Sequence, residues 1–195
     1  MNYPLLQKLQ AKLFFTVDEL AGLAGIRKES ARVLAARYAE KGIFVRLKKG
    51  LYLAGQSLPH LSREDFFRLG NVLQVPSYIS FMTALSFYEI TTQVQQSFFE
   101  SASVRRSVKY QAGSASFNFY KLKKDYYSGF VKREGFFIAV PEKAFADAVY
   151  LYSLNRYPLD FSSLDTDKLD KAALKRILKP FPKKAQEIAK RICRI

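Results

Sequence analysis

From Thr16 to Leu53 the chain writes two short helices and a hairpin in close succession, and so tight an order leaves few ways to pack. Thr16-Val17-Asp18-Glu19 is a capping box, in which the Thr16 hydroxyl accepts from an amide and Glu19 reaches back. The helix it opens runs through Leu20 and Leu23 to Gly25, a left-handed stop. A second helix from about Arg27 to Lys41 carries its apolar positions at Ala31, Leu34 and Tyr38, with Val33 beside them, and Gly42 closes it. Ahead of both, Leu5, Leu6, Leu9 and Leu13 recur at helical spacing after Pro4, so 4–13 reads as a short amphipathic helix.

The β-prone runs Ile43–Leu47 and Leu51–Leu53 flank Lys48-Lys49-Gly50, which predicts a hairpin with a three-residue loop and two cations at its tip. Two helices joined by a tight turn and followed by a basic hairpin are a winged helix-turn-helix. In that arrangement the second helix enters the major groove of a duplex while the hairpin grips neighbouring phosphates. Arg27, Lys28, Glu29, Ser30 and Arg32 at the start of the second helix are the candidate DNA-binding residues. Arg32 and Lys28 suit guanine edges, Glu29 a cytosine amino group and Ser30 a base or a phosphate. Arg46, Lys48 and Lys49 are candidates for holding the backbone. The competing reading is a solvated surface on which Glu29 pairs with Arg32 along its own helix.

Charge supports a polyanionic partner. The 195 residues carry 32 Lys and Arg against 17 acids, a formal net charge of +15. By segment the balance is +6 over 1–55, −1 over 56–99, +5 over 100–135, −3 over 136–167 and +8 over 168–195. A single cysteine, Cys193, excludes a disulfide framework and a thiolate zinc site, and the expected compartment is the cytoplasm. One histidine, His60, builds no metal cluster. No metal and no cofactor are expected, and no apolar run is long enough for a membrane span.

Beyond a linker at 56–61, residues 62–195 read as a C-terminal α+β domain. Leu61–Asp65 caps a helix reaching about Leu73, and Pro76-Ser77-Tyr78 is expected to open another. Four strands are expected at Phe98–Val104, Val108–Tyr110, Ala115–Lys121 and Phe136–Val140, followed by a helix from Pro141 to about Leu154 and short helices near Leu169–Leu178 and Lys184–Ile192. The predicted fold is therefore α+β: an N-terminal winged helix-turn-helix domain (1–55), then a mixed α/β domain with a mainly antiparallel sheet and C-terminal helices. Arg105, Arg106 and Lys109 cluster near strand ends and form a secondary candidate surface for nucleic acid. Glu142 reads as a capping or buried-partner acid.

A basic hairpin ending in Lys49-Gly50-Leu51-Tyr52, then Pro76-Ser77-Tyr78-Ile79-Ser80 with Ala84-Leu85, and later Pro141-Glu142-Lys143-Ala144 with Asp147, resembles the AbiEi-type antitoxins of phage-defence operons. The resemblance spans nearly the whole chain in the expected order. It implies a non-enzymatic DNA-binding antitoxin that binds inverted repeats at its own promoter, represses a toxin–antitoxin operon and counters a cognate nucleotidyltransferase-like toxin without a stable complex. It places DNA contacts on Lys28, Ser30, Arg32, Lys48 and Lys49. The rival reading is a metal-dependent nuclease targeted by its winged helix. That rival needs two or three acids converging on a metal. Asp125, Glu134, Glu142 and Asp147 are the nearby supply, in no tight nuclease spacing.

Overall fold

The computed structural model describes residues 3–93 and 95–195 and is α+β, with helices gathered round two separate sheets. The first part consists of helix α1 (Tyr3–Gln10), the two-residue strand β1 (Phe15–Thr16), helices α2 (Val17–Ala24) and α3 (Lys28–Glu40), and the strands β2 (Phe44–Lys48) and β3 (Leu51–Ala54). The capping box of α2 is complete: Thr16 Oγ1 accepts from the Glu19 amide at 3.2 Å, and Glu19 Oε2 accepts from the Thr16 amide at 2.8 Å. Gly25 ends α2 at φ +65°, where a side chain would be strained.

Strand β3 is central, paired antiparallel with β1 and β2, and all four of its residues are buried. Strand side chains alternate between faces, so β3 serves two cores. Tyr52 packs with Leu9, Phe15, Leu20, Ala31 and Phe44 in a small cluster. Leu51 and Leu53 point the other way and join the large cluster of the second part.

A 3-10 helix (Gly55–His60) leads into that second part. Its helices are α4 (Arg63–Leu73), α5 (Phe81–Phe87), α6 (Pro141–Ser153), α7 (Lys171–Leu178) and α8 (Lys183–Cys193). Its strands are β4 (Ser77–Ile79), β5 (Phe98–Ser103), β6 (Val108–Ala112), β7 (Ala115–Lys121), β8 (Phe130–Arg133) and β9 (Phe136–Ala139). They form one sheet in the order β6-β7-β5-β4-β9-β8. The pairs β6–β7, β4–β5 and β8–β9 are antiparallel, while β5–β7 and β4–β9 are parallel, so the sheet is mixed. No helix among the described residues is long and apolar enough to cross a membrane.

The helix expected from Pro76 begins only at Phe81. Ser77–Ile79 is instead a central strand, held by β5 on one side and β9 on the other. A proline and a capping serine carry a local helix-start signal, and here the burial of Tyr78 and Ile79 between two strands overrides it. Strand β8 lies outside the four expected strands: it is at the sheet edge with three of its four residues exposed, which leaves no alternation to read. The hairpin turn is also shorter than expected: β2 runs through Lys48, leaving Lys49-Gly50 alone, with Gly50 at φ +78°.

Behind the sheet, α6 is buried almost throughout. At its heart the Lys143 ammonium is paired with Asp147 one turn along, their side chains 1% and 0% exposed. Tyr78 and Ser80 donate their hydroxyls to the other Asp147 oxygen at 2.9 and 2.8 Å, and Lys143 lies over the Tyr78 and Phe181 rings. Burial pushes the Asp147 carboxyl up and the Lys143 ammonium down, and their mutual attraction opposes both shifts. Residues far apart in sequence, the Tyr78–Ser80 and Lys143–Asp147 segments, thus meet in a single buried polar cluster.

Candidate nucleic-acid interface

On α3 the spacing of Lys28, Arg32 and Ala36 sets them in one stripe along the helix edge nearest the hairpin. On β2, Arg46 is paired with Tyr52 of β3, and cross-strand partners share a face, so its guanidinium stands on the same side as α3. Lys28 and Arg32, with Arg46 and Lys49 opposite them, line one cleft of about 500 Å³. Arg27, Lys28, Glu29, Ser30, Arg32, Arg46 and Lys49 are all exposed. Lys28 is braced by Asp18 of α2 at 2.7 Å. Glu29 forms no ion pair among the described residues, so the helix-surface partnership with Arg32 is absent. By helical phase Arg27 and Ser30 lie off the cleft-lining stripe, and neither lines the cleft.

Lys48 departs from its expected place at the hairpin tip. The register shifts between Arg46 and Lys48, so Lys48 is paired with Leu51 and shares that residue's face, the one turned toward the second part. Its ammonium donates to the Val72 and Leu73 carbonyls at 2.7 and 3.1 Å, at the C-terminal end of α4. Desolvation, with Arg105 nearby, lowers its pKa. A cation at a helix C-terminus satisfies carbonyls that have no partner within the helix.

Arg105 and Arg106 follow β5 and line a second cleft with Lys48, Gln74 and Tyr110. Lys109 is exposed on β6 next to Tyr110; alternation sends it to the opposite face, and it does not line that cleft. The hairpin therefore separates two cationic clefts.

Val33, set beside the apolar positions of α3 by its place in the sequence, is 68% exposed. The signal was available in the phase: Val33 stands well round the helix from Tyr38, on the outer line with Glu29.

The acids considered for metal chemistry go to separate places. Glu142 accepts from the Asp170 amide at 2.9 Å, Asp147 holds Lys143, and Asp125 and Glu134 are exposed in different turns. Among the described residues no three of His, Cys, Asp and Glu are grouped to hold a metal ion.

The chain matches no family model and no curated protein. Its fold is similar to that in the crystal structure of the RV2827C protein from Mycobacterium tuberculosis, with a TM-score of 0.61 over 97% of this chain and 74% of that one, at 12% sequence identity. At that identity the likeness bears on the fold alone.

Proposed function

We propose that the chain is a DNA-binding antitoxin and transcriptional autorepressor of the AbiEi type, with 1–55 serving as a winged helix-turn-helix. One observation carries the DNA-binding part: Lys28 and Arg32 from a helix and Arg46 and Lys49 from a hairpin line one exposed cleft. A duplex needs cations on one side at two heights, for base edges and for phosphates. In this reading Arg32 and Lys28 read bases, Val33 packs on a methyl group, and Arg46 and Lys49 hold phosphates. Glu29, Ser30 and Arg27 stand at the same helix end. Lys48 tethers the hairpin to α4 instead of touching DNA. Arg105 and Arg106 extend the basic surface on the far side of the hairpin.

The antitoxin part rests on the ordered motifs of the sequence, and the cognate nucleotidyltransferase-like toxin is the partner it implies. The test is gel-shift titration of the full chain on its own upstream duplex and on a scrambled one. Arg32→Ala should weaken operator binding by about 1–3 kcal/mol and scrambled binding far less. Equal losses on the two duplexes would remove the base-reading role. A double Arg32→Ala/Lys49→Ala variant should lose repression yet still rescue cells expressing the toxin.

A further inference from the structure

We infer that the apolar cleft between α4, β4 and the β8–β9 hairpin is a binding site for a compact, neutral, apolar molecule bearing a carbonyl-type acceptor. The cleft holds about 500 Å³, within the range of about 300–1,000 Å³ usual for small-molecule sites. Phe14 from the first part, Val72 at the end of α4 and Val75 just beyond it, Tyr127 ahead of β8, and Phe130 and Phe137 from the β8–β9 hairpin wall it. Val75 and Phe137 are 59% and 41% exposed, so the apolar lining reaches solvent.

Two polar side chains in this wall give the site its chemistry. Ser77 is 6% exposed, and its hydroxyl carries no hydrogen bond. Asn71 accepts the Phe137 amide with Oδ1, which leaves its buried Nδ2 without a partner. An unpaired buried polar group costs about as much as a lost hydrogen bond, so two in one cleft are unusual unless something binds there. The amide nitrogen can only donate, and the hydroxyl can donate as well, so both call for an acceptor. The acceptor need not be charged: the Arg68 guanidinium beside them is already held by Asp65 at 2.7 Å and by the Glu134 carbonyl at 2.9 Å. Apolar walls and two free donors suit a ketone, ester or amide, and the Asp65 carboxylate already offsets the Arg68 charge that a carboxylate would need.

The probe is prodan, a neutral naphthalene ketone whose emission reports hydrogen bonding at its carbonyl, titrated against the full chain. Saturable binding at one site per chain is expected. Ser77→Ala and Asn71→Asp, the latter keeping the acceptor for the Phe137 amide, should each weaken it roughly three- to tenfold. Ser77→Ala should leave the melting temperature unchanged or raised, because the hydroxyl it removes is bonded to nothing. 2-Dimethylaminonaphthalene, which lacks the carbonyl, should bind wild type and Ser77→Ala equally. Unsaturable binding, prodan affinity indifferent to both substitutions, or a dimer by sedimentation that excludes the probe would each overturn the site. None of these readouts involves DNA, so they stand apart from the operator experiment.

Discussion

Lys28 and Arg32 on α3, and Lys143 and Asp147 on α6, are each a pair of charged residues four apart on a helix, yet the first pair faces solvent and the second is sealed from it. The difference lies in what surrounds each helix. α3 packs on α2 and the hairpin along one side only, with Ala31, Ala35 and Tyr38 buried. α6 has α5, α7, α8 and the sheet about it and is buried nearly all round. The same spacing thus presents charge to solvent where a small core leaves a face open, and serves internal architecture where a large core closes over it. Removing a charge should therefore cost much stability on α6 and little on α3.

The largest expected effect tests the buried side of that contrast. Asp147→Ala leaves the Lys143 ammonium buried without its counter-ion and should cost about 3–5 kcal/mol in urea unfolding. Arg32→Ala should stay within about 0.5 kcal/mol of wild type. Comparable losses would mean that the two helices do not differ as described.

The next concerns pH. Burial raises the Glu100 carboxyl to about 7 from its ordinary 4.5, although Tyr157, Tyr120 and the Met82 amide donate to it. The folded chain therefore holds a proton that the unfolded chain has lost, and stability falls as pH rises between those values, by about 3 kcal/mol. Glu100→Gln should flatten that stretch of the stability–pH curve. Glu19 of the first part behaves oppositely. Its pKa is lowered, chiefly by the Lys12 hydrogen bond and the Thr16 amide, so its contribution is present at neutral pH and lost as pH falls through that lowered pKa. A Glu100→Gln curve as steep as wild type would put the pH dependence elsewhere.

The smallest effects sharpen the contrast within one hairpin. Lys48→Met should cost about 1–3 kcal/mol, since it strips a charged donor from two carbonyls, and should leave the salt dependence of operator binding unchanged. Lys49→Ala should do the reverse, with stability within about 0.5 kcal/mol and the salt slope reduced by about 1. Adjacent lysines giving identical results would erase the distinction that the register shift creates.

Much of the fold was legible residue by residue. The Thr16–Glu19 box, the stop at Gly25, the Ser62 cap of α4 and the Pro141 start of α6 all lie where the sequence puts them. The stripe at Lys28 and Arg32 was legible too, because helical phase needs only local spacing. Lys48 was misplaced because a β-bulge is a property of two paired strands, and nothing in Arg46–Lys49 alone declares it. β4 was misread for a similar reason: three residues between two partner strands owe their conformation to those partners.

The sequence by itself determined the capped starts of α2, α4 and α6, the stop at Gly25, the rough place of the hairpin and which residue types stand at each end of α3, because caps, glycines and periodicity act over a few residues. Tertiary structure alone decided which charges are buried together. It made Tyr78, Ser80, Lys143 and Asp147 one cluster, turned Lys48 inward, and opened an apolar cleft around Ser77. Burial and pairing depend on neighbours tens of residues away, and a chain's local signals carry no information about that distance.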